Sequence, residues 1–92
     1  MALIIIKKSP DYQVSHLLLE VALPQDKVVF IQDGVLFAVE KDIKELVKEG
    51  VELYALKEDF VARGFDEHES LVKLVTYDEF AEIVEKEPKI IS

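Results

Sequence analysis

Few residues in this chain are of a type that could do chemistry. It has no cysteine, two histidines and one arginine, set among ten lysines and nineteen carboxylates. Without a thiol there is no thiolate nucleophile, no persulfide carrier and no thiolate metal site. His16 falls beside the apolar stripe of a helical stretch and reads as a partly exposed helix histidine rather than a general base. His68 sits in Asp66-Glu67-His68-Glu69. Adjacent residues on a loop rarely converge on one ion, so this stretch reads as a solvated acidic turn. Ser9 follows an apolar run, as a nucleophile might, but Pro10 behind it favours a capping role.

Carboxylates are the remaining candidates. Glu58 and Asp59 are neighbours at the start of a short helical stretch, where they favour the positive end of the helix dipole. An acid/base pair needs two carboxyl groups facing one substrate, and neighbouring helix positions diverge. Gln32-Asp33-Gly34 breaks off a buried apolar run. Asp-Gly marks turns, yet a glutamine directly after four buried residues would need its amide satisfied, locally or by something that docks there. There is no G-x-G-x-x-G, Walker or G-x-S-x-G motif, so no cofactor is expected and an enzyme acting alone is disfavoured.

The elements that would position these groups follow from hydrophobic patterning. Leu3–Ile6, Val28–Ile31, Val51–Ala55 and Leu71–Val75 are short apolar runs, as expected of strands covered on both faces. Lys89-Ile90-Ile91 would add an edge strand. Ser9-Pro10-Asp11 reads as a helix start, with Ser9 as cap and proline in the first turn. Val14, Leu17, Leu18 and Val21 give that helix an apolar stripe. Val35–Val39 is read as a short buried helix, with a strand as the alternative. Asp42–Glu49 is predicted helical, with Ile43, Leu46 and Val47 inward and Gly50 as its cap. A short helix over Glu58–Arg63 is closed by Gly64. Thr76-Tyr77-Asp78-Glu79 matches a capping box, opening a helix that buries Tyr77, Phe80, Ala81 and Val84.

Alternating strands and helices predict one α/β domain over residues 1–92, a mostly parallel sheet of four to five strands with helices on both faces. In such sheets the polar groups beyond the carboxyl ends of the strands gather on one edge. Ser9, Gln32, Asp33, Gly34, Tyr54, Glu58, Asp59 and Arg63 are therefore the candidate rim for a binding partner, joined by Thr76–Asp78, with Tyr54 and Phe37 as aromatic anchors.

Composition bounds the rest. Half the 92 residues are hydrophobic and a third charged, with net charge −8. That is a soluble globular composition, and no apolar run approaches bilayer length. No signal peptide is recognisable and no disulfide argues for export, so a cytoplasmic location is expected. Net acidity without a basic stripe argues against direct nucleic-acid contact. Lysine and glutamate enrichment with few thermolabile residues leans towards a thermophilic source.

At the rim the sequence resembles the DsrH/TusB family, small subunits of DsrE-type sulfur-relay complexes. The resemblance lies in Ser9-Pro10, Ile31-Gln32-Asp33-Gly34-Val35, Tyr54-Ala55-Leu56 with Glu58-Asp59, Ala62-Arg63-Gly64, and Val75-Thr76-Tyr77-Asp78 with Phe80. It implies a compact α/β fold and association with like-folded DsrE- and DsrF-type (TusD- and TusC-type) subunits; separately, a small apolar-rich domain is expected to form a homodimer in isolation. It also implies a part in passing persulfide sulfur towards 2-thiolation of the tRNA wobble uridine. In such complexes the sulfur-carrying cysteine belongs to the DsrE-type subunit, and this chain, lacking one, would be an accessory subunit without catalysis of its own. Family members often finish near Ser-Trp, whereas this sequence finishes Ile90-Ile91-Ser92. The alternatives from other classes are a small ligand-binding domain and a self-associating module without sulfur chemistry.

Overall fold

A computed structural model describes residues 2–92. Each run read as a strand contributes to one, because side chains alternating across a covered sheet bury both faces, while the apolar Val35–Val39 is helical. The strands are β1 (Leu3–Ile6), β2 (Lys27–Phe30), β3 (Glu52–Leu56), β4 (Lys73–Val75) and β5 (Ile90–Ile91). All pairings are parallel and the spatial order is β4-β3-β2-β1-β5. Even two-residue β5 is registered, with Ile90 opposite Leu3 and Ile91 opposite Ile4.

Right-handed crossovers decide which face each connection covers. From β1 to β4 the chain steps one way across the sheet, placing three connections on one face: helix α1 (Gln13–Val21), a 3-10 helix (Gln32–Val39) and α2 (Lys57–Ala62). The return from β4 to β5 puts α3 (Tyr77–Lys86) on the other. The first face holds the larger core, where Ile4, Ile6, Val28, Phe30 and Ala55 meet Leu19, Val35, Phe37, Ile43 and Phe60. Opposite, Leu3, Val29 and Val75 pack under the half-buried Phe80, Ile83 and Val84 of α3.

Four local expectations are corrected. Ser9 does not cap α1. Its Oγ accepts from the Asp11 N–H at 3.4 Å inside a preceding turn, and the helix begins after Tyr12. The buried Ser15 hydroxyl donates to the Lys8 carbonyl and ties that turn to β1. The apolar stripe of α1 also faces the other way: Ser15 and Leu19 are buried, whereas Val14, Leu17 and Val21 are at least half exposed. In α3, Tyr77 and Ala81 are exposed, and Ile83 takes the inward place beside Phe80 and Val84.

The predicted helix over Asp42–Glu49 shortens to one 3-10 turn, Ile43–Glu45. Tertiary anchors override its helical propensity. Ile43 is held in the core, while Lys48 Nζ donates to the Glu20 and Ala22 carbonyls at 2.6 and 3.2 Å. Gly50, at φ 95°, then turns the chain into β3.

Asp26 fixes the amino end of the sheet. Its buried carboxylate accepts from the Leu23 N–H at 2.9 Å and the Ala2 N–H at 2.8 Å. The Leu23 bond foremost, opposed by burial and helped by Ala2, holds this carboxyl below its ordinary range. Next to it Lys27 pairs with the buried Glu87 at 2.9 Å, an interaction that raises the lysine pKa.

Candidate functional site

The carboxyl ends of β2, β3 and β4 bring Gln32, Asp33, Glu58, Asp59, Arg63 and Thr76–Asp78 of the predicted rim together, mostly through side chains that bond backbone. At the end of β2 the chain turns over at Gln32, in the left-handed region at φ 51°. Its N–H donates to Asp59 Oδ2 at 2.6 Å, so the first turn of α2 holds the strained residue in place. Asp33 reaches back to α2 and accepts from Arg63 Nη2 at 2.5 Å. Glu58 points the other way and accepts from the Tyr77 N–H at 3.3 Å, joining α2 to the start of α3. The two neighbouring carboxylates therefore diverge, and each is engaged by a different segment.

Gly34 is required for a reason other than turn geometry. Its φ is not positive; instead a Cβ there would collide with the Ile6 carbonyl. Its N–H donates to the Ile31 and Lys7 carbonyls, pulling the 3-10 helix against the end of β1. Thr76 closes the rim with a complete capping box. Its hydroxyl accepts from the Glu79 N–H at 3.3 Å, and Glu79 accepts from the Thr76 N–H at 2.8 Å. The Thr76 N–H is the main reason the Glu79 carboxyl lies below its ordinary range.

Three sequence-based placements fail. The Gln32 side chain is exposed, because full burial ends at Phe30 and Ile31 is already half-buried, so its amide carries no unmet demand. Phe37 is fully buried, stacked on Phe30 at 5.1 Å with His16 edge-on at 5.4 Å, and offers nothing to a partner. Tyr54 lies mid-strand on the α3 face rather than on the rim. Its hydroxyl donates to Glu52 Oε1 at 2.7 Å, towards the amino end of β3. Burial first, then that hydrogen bond, pushes its pKa up to about 12. Ser9 follows β1 but makes no contact with the Asp33–Asp59–Arg63 group among the hydrogen bonds of the described residues.

Beside the rim, where β5 ends and β1 continues, a groove of about 400 Å³ opens. It is flanked by Gln32 and Asp33, floored by Ile5, Val14 and Leu18, and carries Lys7 and Lys8 on its lip. This is the place where strand order reverses, the usual crevice of an open parallel sheet. The lysines were visible in the sequence only as the polar end of β1; pairing between β1 and β5 makes them part of a site. Lys8 lies 5.3 Å from the Tyr12 ring centroid. His16 is accounted for locally, with Nε2 2.7 Å from the Pro10 carbonyl oxygen.

This geometry offers shape, one ion pair and backbone-anchoring carboxylates, in a sequence without cysteine. The sequence matches the description of DsrH-like proteins over residues 8–90, from the groove lysine Lys8 through all of the rim. The chain belongs to the DsrH family. Among DsrH relatives, protein TusB of Photorhabdus laumondii is 42% identical over 64 residues, 66% of this chain and 67% of that one. Protein TusB of Serratia proteamaculans is 32% identical over 84 residues, 88% of each chain. A solution NMR structure of a Thermotoga maritima protein is 40% identical, covers both chains fully and superposes with a TM-score of 0.76. A second NMR structure of that protein, described as a candidate sulfur transferase, gives 0.71 at the same identity and coverage. The Thermotoga maritima protein shares the fold built here, a small α/β domain whose sheet in this chain is all-parallel.

Proposed function

We propose that this chain is a non-catalytic subunit of a sulfur-relay complex serving 2-thiolation of the tRNA wobble uridine. The observation that carries the reading is membership of the DsrH family in a sequence without cysteine. Relatives named TusB, and the structural relative described as a candidate sulfur transferase, support the sulfur-relay role. A persulfide needs a sulfur atom to carry it, so the sulfur rests on a partner and this DsrH chain positions that partner. The partners are like-folded DsrE- and DsrF-type subunits, in the cytoplasm and without direct contact to nucleic acid. No helix among the described residues is long and apolar enough to cross a membrane.

Two surfaces support the docking role. The rim and its groove present Lys7, Lys8 and Asp33 around a small apolar floor. Next to it the outer side of α1 exposes Tyr12, Val14, Leu17 and Val21, between 47% and 57% accessible, with Glu20 the only carboxylate on the helix. An apolar face with so little charge, on a chain of net charge −8, favours association there over any other side. In isolation the same face pairs two copies into a homodimer.

Reconstitution with a cysteine-bearing DsrE-type subunit tests the proposal. Val14→Asp together with Leu17→Asp should abolish the complex while leaving the monomer folded. Asp33→Ala and Glu58→Ala should weaken the complex while changing stability by no more than about 1 kcal/mol each, since both carboxylates make exposed bonds. A wild-type complex that these substitutions do not weaken would place the interface elsewhere. Failure of any such partner to bind would remove the relay role itself.

A further inference from the structure

We propose that a second groove, at the β3–β4 side of the sheet, binds a small monoanionic amphiphile: a carboxylate on a short apolar chain. This groove is about 520 Å³, within the usual range for small-molecule sites. Its floor is Val47, Val51, Leu53 and Val72, all packed on the main core yet only half covered, and Leu71 on its wall is 44% exposed. The groove exists because residues 46–50 do not continue the helix their sequence favours, and because β4 starts only at Lys73.

Both walls are held in place without a ligand. On one side Lys48 is bonded to the carbonyls at the end of α1, and the Gly50 carbonyl accepts from the Gln25 N–H at 2.8 Å. On the other side the Leu71 N–H donates to the Ala38 carbonyl at 2.8 Å, and Ser70 Oγ bonds the Val72 carbonyl at 2.7 Å. A preformed site saves the occupant the cost of ordering the protein.

Charge selects the occupant. The lining carries the ammonium groups of Lys44 and Lys48 against Glu49, a local balance of two minus one, or +1, on a chain of net charge −8; Lys73 borders the groove, but it shares the strand face of Val75 and lies beside Glu79 and Glu82. Neither Lys44 nor Lys48 is in an ion pair among the described residues, and with Lys48 bonded to the α1 carbonyls, Lys44 is the group left to meet a negative head. An apolar floor beside the Lys44 ammonium suits a negative head with an apolar tail and disfavours a cationic one.

The experiment is a titration of the full chain with octanoate, followed by backbone amide chemical shifts, with octylammonium as the charge-reversed control. The expected result is saturable shifts confined to residues 47–53 and 71–73 with octanoate, and none there with octylammonium. Leu71→Asp should weaken octanoate at least tenfold. Lys44→Ala, a fully surface change that cannot disturb the core, should weaken it about threefold or more. Absence of saturation, equal binding of octylammonium, or shifts on the outer side of α1 instead would each overturn the proposal. The readout is binding alone, so it stands or falls separately from the sulfur-relay role.

Discussion

Gln32 and Gly34 divide the work that an Asp-Gly turn would ordinarily give to glycine. Gln32 takes the left-handed backbone, and Gly34 supplies the missing Cβ that lets the chain pass the Ile6 carbonyl. The turn itself was readable from Gln32-Asp33-Gly34. Which residue bore which constraint was not, because close approach to β1 is a tertiary fact absent from local sequence. Two substitutions separate the roles. Gly34→Ala drives a side-chain atom into backbone and should cost about 2–3 kcal/mol, at the upper end for overpacking. Asp59→Ala removes one acceptor at a partly open site and should cost about 1 kcal/mol. Urea denaturation of both variants checks the order; a harmless Gly34→Ala would mean that the 3-10 helix does not press against β1.

Among the elements, the strands, the existence of α1 and the start of α3 were legible, and the inward face of α1 was not. Continuous apolar runs fix buried strands whatever surrounds them, and Thr76 to Glu79 builds its cap from four consecutive residues. Thr76→Ala should therefore cost about 1 kcal/mol, seen as a lower urea midpoint. For α1, the repeat Val14, Leu17, Leu18, Val21 is real, but a periodicity cannot say which of two apolar arcs meets the core. The structure buries Ser15 and Leu19, with Ala22 just beyond the helix, and leaves much of the longer stripe outside. Leu19→Ala should cost about 2–4 kcal/mol. Val14→Ser, on the outer arc, should change the stability of the dilute monomer by less than about 0.5 kcal/mol. Similar losses in both variants would contradict the assigned face. The stretch over residues 42–49 was misread for a related reason: its propensity is helical, but Ile43 and Lys48 are anchored in places one straight helix would not join.

Over the whole molecule, strand order and handedness explain why separate polar motifs form one rim, and that much followed from the parallel βα pattern. The clamp at the opposite end of the sheet was not foreseen, because Asp26 looks like an ordinary turn residue until Ala2 and Leu23 are seen to share it. It contributes to the acid dependence of the fold. The Asp26 carboxyl titrates below 3.8 when folded, so its contribution is complete above that value and is lost as pH falls through the lower folded pKa. Asp26→Asn should lower stability at pH 7 by about 1–3 kcal/mol and flatten the decline below pH 4 in pH-resolved thermal melts. At the alkaline limit the shifts run upward: Lys27 above 10.5 and Tyr54 to about 12. Their stabilisation holds below their unfolded values and fades as pH rises beyond about 10.

On the proposed reading the chain is a partner in sulfur transfer rather than a carrier. The deciding measurement is gentle isolation of the complex from its native source, followed by assay of cyanide-labile sulfur on each separated subunit. The account predicts co-elution with a cysteine-bearing DsrE-type subunit that holds all the labile sulfur, while this chain holds none. Elution of this chain without any such subunit, across the concentrations tested, would contradict it.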